Sequence, residues 1–333
     1  MVTISPLAEV TLKHRAFRVA VSNSGHVAAF SMFGSGSLIS PDFGSVTPFA
    51  FSLEFTGAAL SPDGSELAIT AANGITFLST STSKKIHRLN DSFECCRFDA
   101  QNRLWTCARF STDTVVIEVW EPGAWTKIAK TKIADPYGDS HIWLLPHPDQ
   151  RCVVVWAAAG QDGQGLFWAC LGNDAINVIR FPELDETTWP SFSPSGNEFL
   201  VISEGELHRY GYPRGPLRAR MRGLPEAEDD NLGDFVYYVD AGHALVTSLN
   251  YRLFLVDVEN MEVEDEVVIL GHELHPAAEL HPALKDDRGL ASDMSFLLPV
   301  PGSKFLSVHS EFRGAHRSDS DDRLLTWQLP ATL

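Results

Sequence analysis

Three histidines, His272, His275 and His281, crowd into one short stretch of this 333-residue chain. Zinc accepts imidazole nitrogens, and ligands three residues apart can share a helix face. The spacing matches no zinc motif, however, and His275 and His281 are each followed by proline, so they read as surface histidines in a polar loop. A nucleophile elbow needs Gly-x-Ser-x-Gly, with its serine on a sharp strand-to-helix turn. The nearest run, Gly34-Ser35-Gly36-Ser37-Leu38, lacks the final glycine. No glycine-rich loop opens a helix to cradle phosphate, and little helix is foreseen at all. The chain has five cysteines, of which Cys95 and Cys96 are adjacent on a predicted strand and point to opposite faces. Reduced, buried thiols in an intracellular protein are the expectation. The sequence thus predicts no catalytic residues, no bound metal and no cofactor.

What the chain does contain is a repeat. Leu60-Ser61-Pro62-Asp63-Gly64 precedes Glu66-Leu67-Ala68-Ile69, and Phe192-Ser193-Pro194-Ser195-Gly196 precedes Glu198-Phe199-Leu200-Val201. Each is a short apolar strand, a tight turn and a second apolar strand, with proline pre-setting the turn and glycine supplying positive φ. Weaker copies place turn markers at residues 25, 102, 150, 242 and 302, so the markers recur at intervals of 38 to 60 residues. A period near 40 made of short strands signals a β-propeller with four strands per blade. The fold class predicted is all-β: one seven-bladed β-propeller domain over residues 1–333, built of four-stranded antiparallel blades. The blades fall near residues 15–53, 54–91, 92–135, 139–183, 187–223, 233–270 and 291–333. Only six fourth strands are found after their blades. The missing one is supplied by an N-terminal strand at residues 8–13, which closes the last blade and removes an open edge.

Third strands strengthen the pattern. Val119-Trp120-Glu121, Leu255-Val256-Asp257-Val258 and Leu325-Thr326-Trp327-Gln328-Leu329 resemble degenerate forms of the Trp-Asp ending of the WD-repeat family, and the Ser-Pro-Asp-Gly turn is similar too. The resemblance spans nearly the whole chain. Gly25-His26 and Gly242-His243 sit in turns and Gly271-His272 lies far upstream of its strand, so the family's Asp-His-Ser-Trp hydrogen-bond network is not expected in most blades. Lactonase-like and TolB-like propellers share the same turn. The resemblance implies a non-catalytic interaction platform or scaffold. The alternative is a lactonase-type hydrolase, with a channel-mouth metal or small-ligand site and Ca²⁺ held by inward carboxylates and amides. For that the first strands offer chiefly Glu94, Asp99 and Asp234, which make no ring.

The net charge of −17, from 43 acidic and 26 basic residues, argues against nucleic acid and against an anionic membrane surface. No apolar run is long enough to span a bilayer, and Met1-Val2-Thr3-Ile4-Ser5-Pro6 is no secretory leader, so a cytoplasmic protein, monomeric on its own, is expected. Counting back from each turn marker sorts the first strands. Positions four and six before it should pack between blades. Positions five and seven should face the channel, and position seven holds Arg18, Gly57, Cys95, Trp143, Trp189, Phe235 and Ser295. Loops 222–233, 271–291 and 309–322 all fall on one face of the ring by propeller connectivity, in blades five to seven. Extended loops on a rigid scaffold are where binding usually sits. A protein or peptide partner is therefore expected there, a basic one being favoured by the acidic charge, with Trp143, Trp189, Phe235, Arg18, Arg313 and His316 as the contact residues.

Overall fold

The computed structural model describes residues 1–52, 55–135, 138, 140–159, 164–173, 175–181, 188–213, 215–224, 230–249, 252–270, 292–300, 304–311 and 322–330. The described residues form strands and turns, with no helix, and none of their segments is a helix long and apolar enough to cross a membrane.

The repeated turn explains itself at atomic level. In the Ser61–Gly64 turn, Ser61 Oγ donates to Asp63 Oδ1 at 2.6 Å and accepts from the Glu66 amide at 2.9 Å, while the Ser65 amide donates to Asp63 Oδ1 at 3.0 Å. These bonds hold the Asp63 carboxyl below the usual carboxylate range. Gly64 closes the turn at φ +73°, a conformation that costs a residue with a Cβ roughly 1–2 kcal/mol.

Seven such hairpins seed seven sheets. Their first strands are Arg18–Val21, Phe55–Leu60, Cys95–Phe98, His141–Pro146, Ser191–Phe192, Leu232–Tyr238 and Ser292–Val300. Apart from two strands contributed by the N-terminus, the strands of each sheet follow in chain order and pair antiparallel, and the first strand of the last blade also contacts that of the first, so the ring is closed. Closure comes from the N-terminus, as the missing-strand argument requires. Ala8–Thr11 pairs antiparallel with Asp322–Gln328, from Ala8↔Thr326 to Thr11↔Arg323. Leu12 is buried and donates its amide to the Asp322 carbonyl at 2.8 Å, and Asp322 Oδ2 accepts from the Ala16 amide at 2.6 Å.

A second N-terminal strand was not foreseen. Val2–Ile4 runs parallel to Glu262–Ile269 and makes blade six five-stranded, with Ile4 buried. Ile4 joins the cluster formed by Leu245, Leu255, Phe305 and Trp327, between blades six and seven. The chain start therefore spans two adjacent blades.

The core lies between blades. Ala58, Leu60 and Leu67 of blade two meet Ala28 and Phe30 of blade one, as the first-strand count predicts. The opposite face of the first strand is also largely buried. Cys95, expected toward the channel, is instead in the core between blades three and four, with Cys107 opposite it at 2.9 Å between sulfurs. The reading of all five cysteines as thiols is corrected too. Cys152 and Cys170 are cross-strand partners in blade four and form a disulfide, while Cys95, Cys96 and Cys107 are free and buried.

Candidate functional site

Propeller connectivity divides the ring's two faces. One carries the turns between first and second strands. The other, the loop face, carries the connections between blades and those from second to third strands.

The turn face is cinched blade to blade. His147, fully buried in the turn of blade four, places Nε2 at 3.0 Å from the Gly196 carbonyl in the turn of blade five. Burial pulls the His147 pKa down more than Gly196 and Asp149 raise it. Its ring lies 4.7 Å from Phe192 and 4.6 Å from Tyr212. Gln101 of blade three reaches the Asp149 carbonyl in the same way. A Cβ on Gly196, which sits at φ +70°, would lie 2.3 Å from His147 Cε1. Gly205, at φ +74°, has open space around it. Gly205→Ala should therefore cost only the backbone term of about 1–2 kcal/mol, and Gly196→Ala clearly more. Equal losses in paired urea titrations would show that the His147 contact is not confining.

Three of the sequence-predicted residues, Trp143, Trp189 and Phe235, lie at or near the loop-face ends of first strands. Trp143 and Trp189 meet, with ring centroids 6.1 Å apart, and both pack on Trp156, at 4.7 and 5.4 Å. Trp156 was missed, although it stands opposite Trp143 in the hairpin register. Its Nε1 donates to Gln164 Oε1 at 3.0 Å. The trio is half-buried, so it is a rigid platform with part of its surface open. Phe235 is also half-buried, packs against the core between blades six and seven, and lines a shallow pocket of about 100 Å³ with Asp234, Thr247 and Leu249. Arg18 stands on the other side of the ring, in blade one. Arg313 and His316 lie outside the described residues, as do residues 225–229, 271–291 and 312–321 of the three long loops.

Two acidic residues within those loop ranges are structural. Asp230 is buried with Arg252 Nη1 at 3.8 Å, and Asp322 is buried on the Ala16 amide. The carboxylates weighed for an ion are likewise engaged. Glu94 pairs with Arg109 at 3.1 Å, and Arg109 also binds Asp135 at 3.1 Å, tying down the connection into blade four. Asp99 accepts from Arg103 and from Trp105 Nε1. Asp234 is exposed. Among the described residues no three His, Cys, Asp or Glu groups converge as metal ligands would.

A tryptophan-to-hydroxyl bond of the WD type is present in two blades. Trp327 Nε1 donates to Ser307 Oγ at 3.0 Å, and Ser307 lies 2.8 Å from His309 Nε2, in blade seven. Trp120 Nε1 donates to Thr106 Oγ1 at 3.1 Å at the equivalent place in blade three. Solved propellers share this ring. The β-propeller domain of Cps50 (Swd1) from Myceliophteria thermophila superimposes with TM-score 0.63 at 10% identity, over 98% of this chain and all of that one. Kuenenia stuttgartiensis hydrazine synthase gives TM-score 0.58 at 13% identity, over 76% of this chain and 79% of that one. No protein-family model and no curated protein matches the sequence. At such identities the likeness establishes the propeller fold and nothing finer.

Aromatic exposure marks one side of the ring. Phe17 (45% exposed), Phe33 (80%) and Phe110 (65%) are the exposed phenylalanines among the described residues, and connectivity puts all three on the loop face. Met32, Leu249 and Leu270 are exposed there as well. Met32 and Phe33 form the tip of the hairpin joining Val27–Phe30 to Ser35–Ile39, and nothing in their own blade covers them.

Proposed function

We propose that the chain is a non-catalytic protein-interaction platform that binds a protein or peptide partner through its loop face. The observation carrying this reading is the gathering of exposed Phe17, Met32, Phe33 and Phe110 on that face, while the opposite face is interlocked by short polar turns. Single exposed apolar residues are ordinary, but several rigidly held on one face suit an interface whose anchors are aromatic. The Trp143–Trp156–Trp189 platform and Phe235 extend the same surface around the ring. With a net charge of −17, the favoured partner is basic, and its association should slow as salt rises. On this reading the chain is a monomer that presents one face.

A lactonase-type enzyme would need free inward carboxylates. Glu94 and Asp99 are spoken for by arginines, which favours the platform. The test is affinity capture with the wild type and with a Met32→Ser/Phe33→Ser double variant. Both side chains are exposed, so the melting temperature should hold, while losing an aromatic anchor of about 2 kcal/mol should weaken the captured partner roughly 30-fold. A partner that footprints on the Ser61–Gly64 and Ser193–Gly196 turns, and ignores the double variant, would overturn the assignment of the face.

A further inference from the structure

Two guanidinium groups borne on first strands, the innermost strands of their blades, have no counter-ion among the described residues. Arg18 opens the first strand of blade one and Arg97 lies on that of blade three. Arg18 Nε is buried with no hydrogen-bond partner, and the one described contact of its guanidinium is the Phe17 ring, 5.5 Å away. Arg97 Nη1 donates to the Ala58 carbonyl at 2.6 Å and the Cys96 carbonyl at 2.9 Å, which anchors that side chain and leaves its Nε and Nη2 without a partner among the described residues. Burial, and then the nearby Arg97 charge, lower the pKa of Arg18. The Ala58 contact carries the Arg97 guanidinium onto the first strand of blade two, which also packs against the first strand of blade one that bears Arg18. That first strand carries Gly57, while Ala59 beside it is buried in the core between blades two and three. A Cβ on Gly57 would sit 3.5 Å from Cys95 Cα, so blade three is drawn in close at this point.

Like charges partly removed from water are costly unless an opposite charge meets them, and here no described carboxylate does. Glu94 and Asp99, the acidic groups closest in sequence to Arg97, are held by Arg109 and Arg103. Guanidinium forks match the geometry of phosphate and carboxylate oxygens. We propose that Arg18 and Arg97 form an oxyanion site in the central channel, which takes a phosphate-like group either as a free ion or at the end of a larger ligand. An anion site inside a strongly acidic protein selects for a ligand that presents its charge at a tip narrow enough to enter. The proposal is independent of the loop-face reading, since a ring can hold phosphate whether or not that face binds a protein.

The test titrates inorganic phosphate into the full chain at constant ionic strength, following melting temperature and heat of binding, with chloride as the reference. Wild type should show a saturable rise of about 2–4 °C, and Arg18→Met should lose it, with binding at least 10-fold weaker. Because Arg18→Met removes an unpaired charge, it should melt no lower than wild type in chloride, which separates lost binding from lost folding. Arg97→Met, which also breaks two hydrogen bonds to backbone, should lose the phosphate response and some stability together. A short phosphoserine peptide forms the second arm: binding tighter than phosphate assigns the group to a larger ligand, and weaker binding assigns it to a free ion. A phosphate response that is absent in wild type, or equal in wild type and Arg18→Met, overturns the site.

Discussion

Removing residues 1–13 should collapse the ring, whereas removing only residues 1–5 should leave it closed. The longer deletion strips Val2–Ile4 from blade six and Ala8–Thr11 from blade seven, and with them three well-buried side chains, Ile4, Val10 and Leu12. Each is worth roughly 1.5–3 kcal/mol of burial, so about 4.5–9 kcal/mol is lost from a total stability of order 5–15 kcal/mol. It also bares the Asp322–Gln328 strand as an open edge, which invites pairing with another chain. The shorter deletion removes Val2–Ile4 and one buried side chain, Ile4, from a blade that keeps four strands of its own. The expected result is a large fall in melting temperature with concentration-dependent aggregation for the long deletion, and a drop of a few degrees for the short one. Equal melting temperatures for the long deletion and the full chain would mean that the N-terminal strand closes nothing. A short deletion as damaging as the long one would move the closure to Val2–Ile4.

The success and the omission at this terminus have one cause. Residues 8–13 were legible because a four-strand repeat leaves a countable vacancy in its last copy. Val2–Ile4 fills no vacancy; it is an addition to a complete blade, and a three-residue parallel pairing leaves no period in the sequence. The same limit governs side chains. Alternation along the first strands correctly sorted Val19, Ala58 and Leu60 into the core between blades. It assigned Cys95 to the channel because alternation names a face of a strand without naming what that face meets, and in a propeller both faces meet neighbouring blades. The disulfide between Cys152 and Cys170 depends on strand register, which spacing alone does not give. For the site, the meeting of Trp143 and Trp189 was legible from their shared position before successive turns. Trp156 and Arg97 were not singled out, although hairpin pairing and strand alternation respectively pointed at them. Asp230 and Asp322 show the same limit, because composition cannot distinguish an exposed carboxylate from one folded back onto an arginine or an amide.

Asp99→Ala should be among the most damaging single substitutions, and its outcome bears on whether this ring is built to hold an ion. Asp99 sits at the end of the first strand of blade three, fully buried. Its Oδ1 accepts from the amides of Gln101 and Arg103, at 3.0 and 2.9 Å, which shapes the turn. Its Oδ2 accepts from Arg103 Nε at 2.9 Å and from Trp105 Nε1 at 3.0 Å. Arg103 and Trp105 are themselves buried, so alanine would leave a charge and an indole N–H without partners in the core. Breaking a buried ion pair from one side costs about 3–5 kcal/mol, mostly through the charge left behind. Asp99→Asn should be milder, since an amide oxygen can still accept from part of this set. The double variant Asp99→Ala/Arg103→Met should recover a substantial part of the loss, because it removes the stranded charge as well. Urea denaturation of these proteins together with the Arg103→Met single variant measures this coupling directly. If Asp99 were poised instead for a cation, Ca²⁺ would raise the melting temperature of the wild type saturably, and Asp99→Ala would abolish that response while leaving the calcium-free protein nearly as stable as before. The arginine and indole already seated on the carboxylate predict the reverse: no calcium response in the wild type, and a variant crippled without any ion being involved.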